Sequence, residues 1–569
     1  MATTAAARPF AGSRLRTDRL ATRLGLLVFI AGIGYLTVVP LIRLQYLALK
    51  HGARPYHDAY SRQGWGQTVR WTIELGLGSL AIALVVGTGL AWAAHSLPPR
   101  LGILRVVPIL PIVIPAVSSV LGWEFLLSPH PGYLNQLLRL LPWWHKDFQG
   151  PFNVYTVTWI VIITGLSLAS FIYLFVSSGF ENINGELIEA AQVGGSSRAG
   201  VFFRVILPLL RPSLVYGGGV ALLLGLGQFT APLLLGRTEN INVLTTDMFQ
   251  ATQQIPPNYG LAAAIGSPLL LFGVVVLFAN KLLLGDLTRF VTHGGKGGFR
   301  QSAPGSKLAA VWIVVFGLLS TVLPLLSLIF VSLSRFWSGD VHLNRLTVAT
   351  WRTVLNASGV GSAIWNSVWL SLVAVAITLP VGFVAATLLR RRRDHRIAGP
   401  VLDFIVAMPL SIPAVIFGVG FLMTYTTKPF VLYGTPWVLI LVYVTLMIPF
   451  STRMQLGAMA ALGSAYTEAA RASGAGPIRT NLQIVVPLLR PAFGGAGALM
   501  FVLLTHEFAA SLLVRAPTIN VMGTILYDYY ENGIYPLVAC ISLIMVGVTT
   551  AGVLVAMILG GGSDAFKRL

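Results

Sequence analysis

The sequence predicts an all-α integral membrane protein of about 12 transmembrane helices, arranged as two tandem parallel six-helix repeats. Three observations predict it. The chain is 55% hydrophobic and only 10% charged, with a mean hydropathy of +0.77. Apolar runs long enough to cross a hydrocarbon core of about 30 Å as helices recur from end to end. One charged segment lodged between two such runs is written twice. Barrel strands would be shorter and would alternate in polarity, so a helical bundle is expected.

The expected spans are 24–49, 71–96, 105–127, 153–177, 213–236, 260–285, 308–333, 364–389, 398–425, 434–455, 492–514 and 535–560. Arg8, Arg14, Arg16, Arg19 and Arg23 precede the first. That run exceeds the roughly 7–15 residues of a signal-peptide core and lacks a clear small-residue cleavage site, so it reads as an uncleaved anchor. The third and ninth spans carry matched proline pairs, Pro111 with Pro115 and Pro409 with Pro413, which suggest a shared kink. Trp123, Trp143, Trp144 and Trp337 suit interfacial belts at the exterior side. Glu74 and Asp403 lie near helix ends and read as structural. The lone Cys540, in the last span, excludes an intrachain disulfide.

A formal charge of +20 would suit nucleic acid, but the basic residues sort by side. With the N-terminus inside, and residues at span ends counted with their loops, cytoplasmic segments hold 26 of the 39 lysines and arginines and exterior loops 12. That is the positive-inside bias, and Arg390 to Arg393 need no role beyond anchoring a helix end. No nucleic-acid partner is expected; membrane lipid is.

ELIEAAQVGGSSRAGVFFRVILPLLRP at 186–212 and AYTEAARASGAGPIRTNLQIVVPLLRP at 465–491 superpose without a gap at an offset of 279. The register continues to Gln228-Phe229 over Glu507-Phe508 and, after a one-residue slip, to Ile241-Asn242-Val243 over Ile519-Asn520-Val521. Upstream, Ile114-Pro115-Ala116-Val117 matches Ile412-Pro413-Ala414-Val415. The expected halves are 1–285 and 308–569, joined by a Gly-, Ser- and Lys/Arg-rich cytoplasmic linker at 286–307. Six helices per half give both copies one orientation, and any shared pathway lies near the pseudo-two-fold axis along the membrane normal.

Each copied segment reads as helix, turn, helix. Gly194-Gly195 stop the first helix and Ser196 or Ser197 can cap the next, which Pro208 breaks. In the second copy Gly474 to Gly476 turn the chain, Pro477 suits a first helical position and Pro487 ends the helix. Ala190, Ala191, Ala469 and Ala470 keep one face small, while Glu189 and Glu468 offer a charge across it.

The pattern formed by Glu189-Ala190-Ala191, Gly195, Val205 and Leu207-Pro208, repeated as Glu468-Ala469-Ala470, Gly474, Ile484 and Val486-Pro487, resembles the EAA loop of the permeases of type I ATP-binding-cassette importers. Val205 and Val486 depart conservatively from the family's Ile and Leu. The resemblance implies that the loops, within 181–212 and 460–491, each dock on one of two copies of a cytoplasmic ATPase. It further implies an extracytoplasmic solute-binding protein and a bacterial cytoplasmic (inner) membrane setting with both termini cytoplasmic. The chain has no G-x-x-x-x-G-K-[ST], so ATP and Mg are expected on the partner and no cofactor on this chain. No catalytic or metal-binding constellation is present either, and a membrane-embedded enzyme is disfavoured.

Ionisable groups inside spans are costly and mark function by default. On the helix after each loop, Gln228, Phe229, His506, Glu507 and Phe508 are the candidate translocation pathway, against the alternative of interhelical hydrogen bonds that lock the bundle. QFTAPLLLGRTENINVLTTDMFQ, EFAASLLVRAPTINVMGTILYDYY and the fused halves are similar to ferric-iron importer permeases. Thiamine, phosphonate and polyamine permeases remain alternatives, and an ion-driven secondary transporter also uses twelve helices and two repeats.

Overall fold

The computed structural model describes residues 11–144, 149–181, 183–284, 306–338, 346–390, 397–463 and 465–559. Among them, nine helices are long and apolar enough to cross a membrane singly, and three bent pairs raise the number to twelve if each pair is one span. The sole strand among the described residues is the four-residue Lys50–Ala53. The chain is an all-α membrane protein. Most of the expected linker, 286–305, and Arg391 to Arg393 lie outside the described residues.

In order, the spans are Leu24–Leu49, Trp65–His95, the pair Pro99–Val113 and Ala116–Leu127, Val157–Glu181, Arg211–Leu235 and Tyr259–Ala279 in the first half. In the second they are Lys307–Ser332, Val360–Arg390, the pair Ala398–Ser411 and Ala414–Tyr425, Pro436–Leu462, the pair Ile478–Leu488 and Arg490–Thr505, and Tyr535–Val555.

The third and ninth spans are broken rather than kinked, by 93° and 108°. The cause is local. Ile114 and Ile412, each preceding a proline, are extended with ψ near 128° and 129°, and Pro115 and Pro413 begin the next helix. Pro111 sits in the helix turn before the first break, and Pro409 lies inside the helix before the second.

The halves pack by exchange. Gly122 in the third span lies so close to Pro324 of the seventh that a Cβ there would meet the Pro324 carbonyl oxygen at 2.5 Å. Its repeat mate Gly420 meets Pro40 of the first span at 2.8 Å. The first helix of each half therefore packs on the other half. Ser327 fastens one such contact, donating to the Gly122 carbonyl at 2.7 Å. Small residues let backbones approach this closely, which drives helix association where lipid is as apolar as the side chains.

Trp123 is 5% exposed and packs on Trp159, so it serves the interior rather than an interfacial belt; Trp337 is half-buried against Phe125. Trp143 is exposed. Glu74 pairs with Arg70 and Asp403 with Arg453, each at 2.7 Å. Cys540 is buried, its thiol 3.7 Å from the Ser332 carbonyl.

Candidate functional site

The two copied segments fold alike. In the first, Asn184 accepts from the Glu186 N–H at 3.0 Å and starts the helix Gly185–Val193. The helix closes with Gly195 at φ +81°, while the Ser196 N–H reaches the Ala191 carbonyl at 3.0 Å. In the second, Ala465–Ala472 closes with Gly474 at φ +78° and Ala475 N–H on the Ala470 carbonyl at 2.9 Å. Left-handed backbone explains why both copies carry glycine here. Ser197, not Ser196, caps the following helix, accepting from the Gly200 N–H at 3.1 Å. Pro477 opens the corresponding helix.

Neither Pro208 nor Pro487 ends its helix. Each follows a π-helical turn, Phe202–Ile206 and Asn481–Val485, and the chain continues helically to Leu209 and Leu488. The break comes after them, where Ile478–Leu488 and Arg490–Thr505 meet at 70°. Wider turns accommodate the proline: they open the backbone where the ring would strike the carbonyl four residues earlier.

Glu189, Ala190 and Gly195, with Glu468, Ala469 and Gly474, are exposed in both copies, Ala191, Pro208 and Pro487 are half-buried, and Ala470 is buried. Val193 at the first tip is 89% exposed and Ile478 of the second loop 76%. On the inner side, Ile188 and Ile206 are buried, and Phe202 packs on Trp92 at 4.7 Å. Taking each bent pair as one crossing, an even number of crossings separates the loops, which puts both at one end of the bundle.

At the interior, the helix after each loop is interrupted at Gly227 to Phe229 and at His506 to Phe508 before resuming as Thr230–Leu235 and Ala509–Val514. A Cβ on Gly227 would strike Pro413 at 2.8 Å, so one half's interruption touches the other's broken span. Irregular backbone at this depth persists only where protein or a cavity shields it.

The repeat mates Phe229 and Phe508 meet across the halves at 5.9 Å. Phe249 and Tyr527, also mates, close the box: Phe229 to Phe249 5.4 Å, Phe249 to Tyr527 6.2 Å and Phe508 to Tyr527 6.0 Å. All four are at most 9% exposed. Four buried rings from two halves therefore meet where the halves join.

The polar neighbours are not symmetric. Glu507 caps Ala509–Val514, accepting from the Ala510 and Ser511 N–H groups at 2.8 Å and from the Ser511 hydroxyl, which lies 2.8 Å from Tyr443. Gln228 instead donates to Thr164 at 3.3 Å. His506 has a buried Nδ1 with no hydrogen-bond partner.

Beyond the box, at the end away from the loops, lie two cavities of about 300 and 250 Å³. Phe249, Gln253 and Tyr527 line both; Arg515 lines the larger, and Arg237 with Glu531 the smaller. Arg237 and Glu531 pair across the halves, and the hydrogen bond to that carboxylate raises the guanidinium pKa further. Sequence reasoning missed Phe249 and Tyr527, although the slipped register pairs them. It also missed Glu124, an acid inside an apolar run.

The sequence profile of the family described as "Binding-protein-dependent transport system inner membrane component" matches residues 80–289 and 378–566, so each match contains one exposed loop and one interrupted helix. A Sinorhizobium fredii chain described as an ABC transporter permease protein is 26% identical over 84% of this chain and 85% of its own length. A ferric transport system permease protein of Actinobacillus pleuropneumoniae is 24% identical over 79% of this chain, which spans 64% of that relative. A molybdenum transport system permease protein of Azotobacter vinelandii is 28% identical over 37% of this chain and 90% of its own. With well over half its residues inside the two matched regions, the chain belongs to the family of binding-protein-dependent transport system inner membrane components.

Proposed function

We propose that this chain is the translocation subunit of an ATP-binding-cassette importer, with Glu189-Ala190-Ala191 and Glu468-Ala469-Ala470 each docking on one of two copies of a cytoplasmic ATPase that binds ATP and Mg. The observation that carries the reading is the pair of superposable, outward-facing loops, each running into the interrupted helix that holds one wall of the aromatic box. Motion applied at a loop reaches Phe229 or Phe508 within one helix. The loops and both termini then face the cytoplasm of a bacterial inner membrane, and the cavities face an extracytoplasmic solute-binding protein. This chain is a transport subunit and hydrolyses no ATP itself.

For the cargo we propose ferric iron, supported by the likeness to the ferric relative over most of this chain. The molybdenum relative favours a second reading, the same importer class serving another small solute.

Glu189→Lys with Glu468→Lys is expected to leave the protein in the membrane and to abolish substrate-stimulated ATP hydrolysis by the assembled complex; unchanged coupling rejects the docking role. ATP-independent, gradient-driven transport by the chain alone would instead establish a secondary transporter. Labelled iron uptake tests the cargo: a deletion strain without a redundant system is expected to lose it.

A further inference from the structure

We propose that Glu124, Tyr155 and Tyr530 form a binding site for a small hard cation beside the pathway, at the end away from the coupling loops. Glu124 is 2% exposed, and among the described ion pairs none includes it. Its Oε1 accepts from the Tyr155 hydroxyl at 3.1 Å and lies 3.3 Å from that of Tyr530, which also reaches the Leu234 carbonyl at 2.8 Å. Its Oε2 has no hydrogen-bond partner. An ionisable group this deep in a membrane protein, with one oxygen unpartnered, marks a functional site by default.

The donors suit the ligand. Carboxylate and phenol oxygens are hard ligands, and a six-coordinate cation with bonds of about 2.0–2.1 Å spaces neighbouring oxygens by about 2.9 Å, close to the separations found. The repeat supplies an internal control: Leu422, Gly434 and Thr252 stand at the equivalent places of the other half. There the counterpart of the cluster is the open cavity of about 300 Å³, lined by Thr252, Leu422, Thr426 and Leu513. The equivalent place of the other half is thus built without any of the three oxygens.

Two further features connect the cluster to transport. Leu233 and Glu531, chain neighbours of Leu234 and Tyr530, line the second cavity, so the cluster lies directly behind its wall. Glu124 and Tyr155 come from one half and Tyr530 from the other, so relative motion of the halves assembles or parts the ligands. A cation that takes the phenol oxygens and the buried carboxyl group displaces the protons they hold to solvent through that cavity.

The identity of the cation as ferric rests on the cargo reading above; the site does not. The test titrates ferric nitrilotriacetate into the full chain in lipid nanodiscs and follows the visible phenolate-to-iron charge-transfer absorption. The wild type is expected to show the band, Tyr530→Phe and Tyr155→Phe to weaken it, and Glu124→Gln to raise the half-saturating iron concentration at least tenfold. Thr252→Val on the mirror side is expected to change nothing. Tyr530→Phe keeps the ring and its packing, so loss of the band there is not loss of fold. Absence of the band in the wild type, or an equal band in all variants, overturns the site. Iron uptake in cells separates the two readings: uptake by the wild type without the band overturns the site and leaves the cargo, whereas a band without uptake supports the site and rejects the cargo.

Discussion

Gly195 and Gly474 carry the same burden in the two loops. Both sit near φ +80° with open space around them, so it is the backbone and not packing that requires glycine. A left-handed residue with a Cβ costs about 1–2 kcal/mol. Gly195→Ala with Gly474→Ala is expected to weaken the turn by about that much at each site and to lower substrate-stimulated ATPase activity more than membrane assembly, with Asn tolerated better than Ala; comparing the two activities checks it. Gly122 carries a different burden, because a Cβ there meets backbone of the other half at 2.5 Å. Overpacking of this kind costs about 1–3 kcal/mol, so Gly122→Ala is expected to lower the thermal midpoint of the purified protein, whereas Gly102→Ala, in open space, is not. The exposed partner in Arg237–Glu531 makes that ion pair worth at most about 1 kcal/mol, and Arg237→Gln is expected to leave stability nearly unchanged.

At the scale of elements, the π-turns are the informative feature. Phe202–Ile206, Asn481–Val485 and Leu318–Val322 each run into a helix whose second residue is a proline: Pro208, Pro487 and Pro324. In the loops this places a widened turn between the exposed helix that carries Glu189 or Glu468 and the interrupted helix. Pro208→Ala with Pro487→Ala restores the missing N–H and lets the turn tighten to α geometry, which rotates the exposed loop helix relative to the following helix. The expected result is reduced coupling with normal stability, read as transport per ATP hydrolysed. The helical class, the short helices of the two loops and their glycine stops were legible in the sequence because periodicity, length and turn chemistry are local. The right-angle breaks at Pro115 and Pro413 were legible only as kinks: a proline dictates an extended residue before it, but neighbouring helices decide how far the chain then turns.

At the scale of the molecule, the two halves hold one another's first helices, so neither buries its own contact surface alone. Expressed separately, 1–285 and 308–569 are expected to be degraded, and expressed together to co-purify; stable isolated halves would contradict the exchange. The aromatic box makes a matching prediction. Phe229→Ala with Phe508→Ala removes the rings that meet across the halves, and proteoliposomes of the variant are expected to leak small ions that the wild type retains.

The sequence by itself determined that this is a membrane protein built on a repeat, and it singled out the two copied loops and the polar residues on the helix that follows each. Those properties follow from hydropathy, repeat offset and backbone preference, each readable within a few dozen residues. Only the tertiary structure decided that Phe229 meets Phe508, that Phe249 and Tyr527 complete the closure, and that Glu124 faces tyrosines from both halves. Such contacts join residues hundreds of positions apart, and no local periodicity encodes them. They depend on how closely glycines such as Gly122 and Gly420 let the two halves approach.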